Sequence, residues 1–153
     1  MIKKNTERVK VHLFDGKHQQ LILCQQEVCR IYGDYLLSKK YFEDSALIYE
    51  RGGMMDKAVD SWEKAVCPSY CLSAAKTLGL SPNEMSSLCR RLVESLTDGK
   101  RHLEASHLLL EYLDDVEEAV ATLVSGNLWS EAHRLIVKHS RKDLLRKNET
   151  FSL

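Results

Sequence analysis

The 153-residue chain, with a mass of 17.5 kDa, fits a single domain or a segment of a larger repeat array. Its 22 basic and 22 acidic residues cancel, which excludes a protein that holds nucleic acid through bulk positive charge. With only 7 Gly and 2 Pro among many Leu, Ala, Glu and Lys, the composition predicts an all-helical fold.

Targeting signals and cysteines bear on the location of the chain. No apolar run approaches the roughly 18 residues that cross a bilayer, and no apolar segment of a signal peptide follows Met1–Lys4. Five cysteines scattered along a helical pattern fit a reducing compartment better than a disulfide framework. We therefore expect a cytoplasmic protein, which can also be nuclear, without a membrane partner.

The first segment, residues 1–18, is polar and weakly periodic, and we expect a poorly ordered tail there. From Gln19 onward the spacing becomes helical, and a single apolar stripe predicts an amphipathic helix. The stripe comprises Leu21, Cys24, Val28, Ile31, Tyr35 and Leu36. We predict that the helical region covers residues 19–145 and that residues 146–153 form a second tail.

Short helical segments follow, and residues that start or stop a helix separate them. Breaks at Gly52-Gly53, Pro68, Gly79 and Gly126-Asn127 divide the chain. Ser81-Pro82-Asn83-Glu84 predicts a capping box, with Pro82 at the first helical position. Asp115 with Glu118 suggests a similar cap, and Asp98-Gly99 predicts a helix end with a left-handed glycine.

Alanines recur at related places in the two halves of the chain. The pairs are separated by offsets of 58–61 residues: Ala46 with Ala105, Ala58 with Ala119, and Ala74 with Ala132. These offsets predict two units of about sixty residues, each of three short helices. A linking helix near Asn83–Leu96 is expected between them.

Short helices with a small residue at their centre cannot be stable alone in water. Alanine allows a neighbouring helix to approach closely, and larger apolar residues fill the remaining space. The sequence therefore predicts an all-α fold, an α-solenoid of short antiparallel helix pairs that resembles tetratricopeptide (TPR) repeats. A compact, irregular helical bundle is the alternative.

Residues that could carry chemistry do not form a recognisable motif. Cys24 and Cys29, Cys67 and Cys71, and the histidine pairs lack the spacing of zinc ligands. No nucleophile elbow, phosphate loop or HExxH motif occurs. We therefore expect neither an enzyme nor a cofactor or metal site, and we interpret the cysteines as core residues.

Charge is patterned despite its zero sum. An acidic cluster lies at Glu111–Glu118, where the dipole of a helix N-terminus favours carboxylates. A basic run occupies the C-terminal region: Lys138, Arg141, Lys142, Arg146 and Lys147. This run is either a solvated helix end or an edge that contacts the phosphates of RNA.

Aromatic and small residues are expected to pack successive helices together. Trp62 and the tyrosines around Phe42 belong to this group, although partner surfaces also favour tyrosine. The predicted packing signature comprises Gly33, Tyr35, Tyr41, Phe42, Ala46, Ala58, Ala105, Ala119, Trp129 and Ala132.

The block Gly33–Gly53 resembles the helical-repeat region of the largest, IKAP-type scaffold subunit of the Elongator complex. The similarity continues at Asp56–Val59, Lys100–Ala105, Tyr112–Val120 and Trp129–Ile136, and it spans about residues 28–145. Residues 1–27 depart from the pattern, and so does Ala65–Tyr70, where a glycine turn before a Trp-containing helix is expected.

The resemblance implies a role in assembly. Such subunits carry WD40 propellers followed by a C-terminal TPR-like solenoid that mediates dimerisation, and a different subunit modifies the wobble uridines of tRNA. This chain contains no propeller, so we expect a partial copy of the scaffold. Its expected partners are other Elongator subunits or a second copy, with tRNA involved only indirectly.

Three functions are compatible with the sequence. The first is a scaffold segment that acts through subunit assembly or dimerisation. The second is a weak tRNA-binding module that uses the C-terminal basic run. The third is a generic protein-binding α-solenoid of the trafficking or coat type.

Overall fold

The computed structural model describes the backbone of residues 2–139 and the side chains of residues 17–139. This part of the chain is entirely helical, without a strand, and the predicted all-α class of short helices is confirmed. The helices are α1 (Ile2–Ser38), α2 (Phe42–Arg51), α3 (Met55–Lys64), α4 (Pro68–Leu78), α5 (Pro82–Asp98), α6 (His102–Tyr112), α7 (Val116–Ser125) and α8 (Trp129–Lys138).

Helix α1 begins at Ile2, so its backbone is helical across residues 2–18, where the sequence predicts a poorly ordered tail. Gly16 is the only glycine in this stretch, and no proline interrupts it. Lys3, Lys4, Glu7, Arg8 and Leu13 favour a helix, whereas the valines and Gly16 favour it less, so the composition of the segment permits a helix without demanding it. The expected C-terminal tail lies outside the described residues.

The chain divides into two compact units, Met1–Gly79 and Leu80–Leu153. Unit 1 contains α1–α4 and unit 2 contains α5–α8, and within each unit every helix packs against the next one along the chain. The offset of about sixty residues therefore reflects two four-helix units. Helix α5, which the sequence predicts as a linker, opens the second unit instead.

Three-residue turns connect all the described helices, and each turn has one left-handed residue. This residue is Gly79 with φ 80° before α5 and Asp114 with φ 51° before α7. In the other five turns it is the middle residue, with φ between 53° and 74°: Lys40, Gly53, Val66, Lys100 and Asn127. The amide of the following residue donates to a carbonyl five residues earlier, as from Tyr41 to Leu36 at 3.0 Å. These are Schellman turns, which satisfy the last carbonyls of each helix.

The caps differ in part from the sequence prediction. The capping box of Ser81 and Glu84 is confirmed, because both reciprocal hydrogen bonds form. The prediction of a left-handed Gly99 is wrong: its φ is −76°, and Lys100 takes the left-handed conformation with φ 60°. A Schellman turn places that conformation one residue beyond the helix end, whatever residue stands there.

Two positions along each short helix build the core. The fourth residue after each N-cap is small and at most 3% exposed: Ser45, Ala58, Cys71, Ala105, Ala119 and Ala132. The eighth is apolar and equally buried: Tyr49, Trp62, Ala75, Leu109, Leu123 and Ile136. The repeat therefore consists of one helix and one turn, with a small residue where two helices approach closely.

This register corrects two of the alanine pairs. Ala105 corresponds to Ser45 rather than to Ala46, and Ala132 corresponds to Cys71 rather than to Ala74. The position requires a small side chain and not an alanine, since serine and cysteine fit the same space. The buried Ser45 and Ser61 hydroxyls satisfy each other at 3.0 Å, which removes the cost of burying them.

Candidate functional site: the exposed face of α1

The apolar stripe on α1 is exposed. Leu21 is 69% exposed, Val28 is 65% and Ile31 is 57%, and Cys24 and Tyr35 are exposed as well. We call Leu21, Cys24, Val28, Ile31 and Tyr35 the α1 stripe. In a stable amphipathic helix this face would be buried, so the stripe is a candidate contact surface.

Unit 1 covers a different face of α1. Cys29, Gly33 and Leu36 are buried, and they lie on the side that packs against α2. These residues follow the spacing i, i+4, i+7 along one side of the helix. Leu36, which the sequence groups with the stripe, therefore belongs to the core, whereas the other five residues do not.

Helix α5 has a buried counterpart for Val28 of the stripe and for the neighbouring Tyr32. When residues are counted back from the left-handed Lys40 and Lys100, Val28 matches Leu88 and Tyr32 matches Leu92. Leu88 and Leu92 are at most 1% exposed, whereas Tyr32 is 49% exposed. These two positions are thus buried on α5 and open on α1, whereas the α5 counterparts of Leu21, Cys24 and Ile31 are exposed polar residues: Ser81, Glu84 and Arg91.

A polar network fixes α1 against α2 and α3. The Tyr49 hydroxyl donates to Asp34 Oδ1 at 2.6 Å, and Lys57 Nζ donates to the same oxygen at 2.9 Å. Arg30 donates to Asp34 Oδ2 at 3.1 Å and also pairs with Glu27. Because three donors from three helices meet one carboxylate, α1 is held at a defined rotation about its axis.

The network shifts the titration of its members. The hydrogen bond from Tyr49, followed by that from Lys57, lowers the pKa of Asp34. Burial, and then the hydrogen bond to Asp34, raises the pKa of Tyr49 to about 12. Tyr49 therefore remains a neutral donor and Asp34 a charged acceptor at neutral pH.

A glycine makes this network possible. A Cβ atom added to Gly33 would lie 2.5 Å from Cε1 of Tyr49, so no larger residue fits without movement of the ring. The sequence places Gly33 in the packing signature but does not reveal the roles of Asp34 and Lys57. Their spacing of 23 residues leaves no local pattern, and only the packed helices bring them together.

The predicted packing signature divides into buried and exposed members. Its five alanines and Gly33 are buried, and Phe42 is partly buried. Tyr35, Tyr41 and Trp129, however, are 55%, 59% and 45% exposed, so the expectation that they pack between helices is not met. Tyr41 and Trp129 stand at the starts of α2 and α8, where the helix turns its side chains away from the core.

Most of the predicted basic run cannot be placed. Lys138 is exposed at the last residue of α8, which favours a cation because the helix carbonyls end there. Arg141, Lys142, Arg146 and Lys147 lie outside the described residues. The acidic cluster supplies a cap, since the Asp115 carboxylate accepts from the Glu118 amide at 2.9 Å.

The described residues contain no group of three or more His, Cys, Asp or Glu side chains arranged to hold a metal ion. Among these residues, no helix combines the length and the apolar content that a membrane span requires. The ring of His102 packs against Gly126 at the end of α7.

Comparison with known proteins decides the family. The family model described as the ELP1 TPR domain matches residues 5–134, which is most of the chain. This chain belongs to that family. The match also reaches into residues 5–27, where the sequence pattern departs from the resemblance.

Relatives in distant organisms carry the same segment. The chain is 33% identical over 126 residues to Elongator complex protein 1 of Mus musculus and 31% identical over 121 residues to that of Saccharomyces cerevisiae. The putative elongator complex protein 1 of Xenopus laevis is 35% identical over 123 residues. The alignments cover 76–79% of this chain but only 9–10% of the relatives. The chain therefore corresponds to about a tenth of an Elongator complex protein 1.

Proposed function

We propose that this chain is a non-catalytic scaffold segment of an Elongator-like complex that supports the modification of wobble uridines in tRNA. It acts through contacts with other subunits or with a second copy, in the cytoplasm and also in the nucleus. Its place in the parent architecture is the C-terminal TPR-like region of the large subunit. Chemistry on tRNA belongs to another subunit, and this chain binds no cofactor.

The observation that carries the proposal is the exposed α1 stripe in a member of the Elongator subunit family. Large apolar side chains in an unbroken row cost free energy in water, and a partner that covers them recovers it. The Asp34 network holds the helix that bears the stripe in a fixed orientation. A pre-oriented apolar surface loses little entropy on binding, as a scaffold requires.

Co-purification tests this proposal. The tagged 153-residue chain should retain Elongator subunits from a cell extract, and Val28→Asp should reduce that retention because it places a carboxylate on the stripe. Leu23→Asp is the matched control, since Leu23 is 63% exposed but points away from the stripe. Capture of trafficking or coat proteins in place of Elongator subunits would contradict the proposal and support a generic solenoid.

A further inference from the structure

One serine of the chain is followed directly by a proline. The 153 residues contain only two prolines, of which Pro68 follows a cysteine and Pro82 follows Ser81. Protein kinases of the proline-directed class select a serine or threonine that has proline as its next residue. Ser81 is therefore the single position in the sequence that such an enzyme would select.

Ser81 also has the backbone conformation and the exposure that a kinase substrate needs. Its φ of −64° and ψ of 158° are extended, because the ring of Pro82 disfavours the helical region for the residue before it. Residues 81–84 are exposed, and a Cβ atom added to Gly79 would meet nothing within 4 Å. A hydroxyl must reach the phosphoryl group inside the kinase cleft, and an open, extended segment allows this approach.

The hydrogen bonds of Ser81 are all local. Its hydroxyl donates to Glu84 Oε2 at 2.7 Å, its amide donates to the same oxygen at 2.8 Å, and its hydroxyl oxygen accepts from the Glu84 amide at 3.3 Å. Its carbonyl accepts the first backbone bond of α5, from Met85 at 2.9 Å. The buried residues of α5 begin only at Leu88, so the first turn can open while the core stays packed.

From these observations we infer that Ser81 is a phosphorylation site for a proline-directed protein kinase, and that the capping box of α5 controls access to it. The Ser81 oxygen bonds to the γ-phosphorus of ATP, the bond from that phosphorus to the β-phosphate oxygen breaks, and ADP leaves. A carboxylate of the kinase takes the hydroxyl proton. The inference goes beyond the scaffold role and does not depend on it, because Ser81 lies outside the α1 stripe.

Phosphorylation replaces the capping box with a different start of α5. The modified oxygen has no hydrogen to donate, and a phosphate with a charge of about −1.5 to −2 repels the Glu84 carboxylate. The bonds from the Ser81 side chain and backbone lower the pKa of Glu84, so their loss raises it. The phosphate accepts from the amides of Asn83 and Glu84 instead, and α5 stays helical. The modification thereby gives a negative charge to a chain whose formal net charge is zero.

Incubation of the full chain with ATP and a purified cyclin-dependent or mitogen-activated protein kinase tests the inference. Mass spectrometry should show one added phosphate, and peptide fragmentation should locate it on Ser81. Ser81→Ala should abolish the incorporation, and Pro82→Ala should do the same although it keeps the hydroxyl. Ser69→Ala is the matched control, because Ser69 is an exposed serine in the first turn of α4 that no proline follows.

The rate of the reaction tests the control by the capping box. Glu84→Ala removes the acceptor that holds the hydroxyl, so the initial rate of incorporation should rise about fivefold. Glu94→Ala, at an exposed acidic residue further along α5, should leave the rate unchanged. In the phosphorylated chain, the Asn83 and Glu84 amide resonances should shift as the pH passes about 6, where the phosphate takes up its second proton.

Three outcomes would overturn the inference: no phosphate on Ser81, equal incorporation into the Pro82→Ala chain, or a rate that Glu84→Ala does not change. Circular dichroism of each variant establishes that it is folded before the kinase is added. These outcomes leave the capture of Elongator subunits untouched, so the scaffold proposal is tested separately.

Discussion

Units 1 and 2 use the same turns and the same positions for their cores, but they fill those positions differently. Where unit 1 has Tyr49 and Trp62, unit 2 has Leu109 and Leu123. The aromatic residues carry polar groups that reach partners, from Tyr49 to Asp34 at 2.6 Å and from Trp62 Nε1 to Glu50 at 2.7 Å.

The first helix of each unit, which packs against these residues, differs in the size of the side chain at the contact. Tyr49 lies against Gly33, whereas the residue equivalent to Gly33 in unit 2 is the buried Val93. The pair of Gly33 and Tyr49 in unit 1 and the pair of Val93 and Leu109 in unit 2 can fill similar total volumes. The comparison teaches that the repeat specifies total volume at a contact, and that unit 1 adds an orientation through hydrogen bonds.

The largest effect is expected from Gly33→Val, which forces a side chain into the Tyr49 ring. We expect it to reduce the free energy of unfolding by about 3 kcal/mol. Urea unfolding followed by Trp62 fluorescence, in a Trp129→Phe chain, reports on unit 1. Adding Tyr49→Leu, which recreates the packing of unit 2, should recover much of the loss. Strict additivity of the two changes would contradict the volume explanation.

Removal of the hydroxyl alone tests the orientation. Tyr49→Phe keeps the ring against Gly33 but removes the donor to Asp34, and we expect a loss of about 1.5 kcal/mol because hydrogen bonds to charged groups are strong. The same fluorescence-monitored unfolding measures it. Tyr70→Phe is the control, since Tyr70 is exposed and keeps its stacking on Trp62. Equal effects of the two changes would argue against the network.

The turns offer a smaller contrast between the units. Val66 takes a left-handed φ of 53° although it is β-branched, whereas the matching turn of unit 2 has Asn127. We expect Val66→Asn to stabilise unit 1 by about 0.5–1 kcal/mol, because asparagine tolerates this conformation. Asn127→Gly, which replaces one tolerant residue by another, should change the urea midpoint little. A destabilising Val66→Asn would show that packing of the valine outweighs its strain.

The smallest expected effect is a loss of folding stability at acidic pH. Because the folded-state pKa of Asp34 is lowered, its contribution to stability is present above its ordinary pKa of 3.8 and is lost as the pH falls through the lowered value. Since Asp34 is 41% exposed, the change should stay below about 1 kcal/mol. Urea midpoints measured above and below pH 3.8 should fall less with Asp34→Asn than with the wild type. Equal acid sensitivity would contradict the assignment.

The sequence predicts the repeated helices well because small residues, caps and breaks are local signals. Ser81 and Glu84 form the expected box, and the mid-helix alanines are buried. The register of the repeat is harder to predict, since Ser45 and Cys71 occupy the buried position at which other helices have alanine. A search for small residues at one helix-plus-turn interval, rather than for alanine, would have found the register.

The candidate site could be predicted only in part. The spacing of Leu21, Val28 and Tyr35 identifies an apolar stripe, but the sequence alone gives no sign that this stripe stays open while Cys29 and Gly33 face α2. That choice depends on the distant pairing of Asp34 with Lys57 and Tyr49. Contacts between residues far apart in sequence leave no periodic trace, which is why the sequence did not reveal them.

The Schellman turns also fix the number of residues between successive helices. Each one carries the chain from the last residue of a helix to the next N-cap with a fixed number of residues, although Lys, Gly, Val and Asn all occupy its left-handed site. The residue at this site can therefore vary, although a β-branched residue such as Val66 is strained there. The length of the turn cannot vary, because loss of a single residue would rotate the next helix by about 100° about its axis. Its small contact residue would then leave the interface.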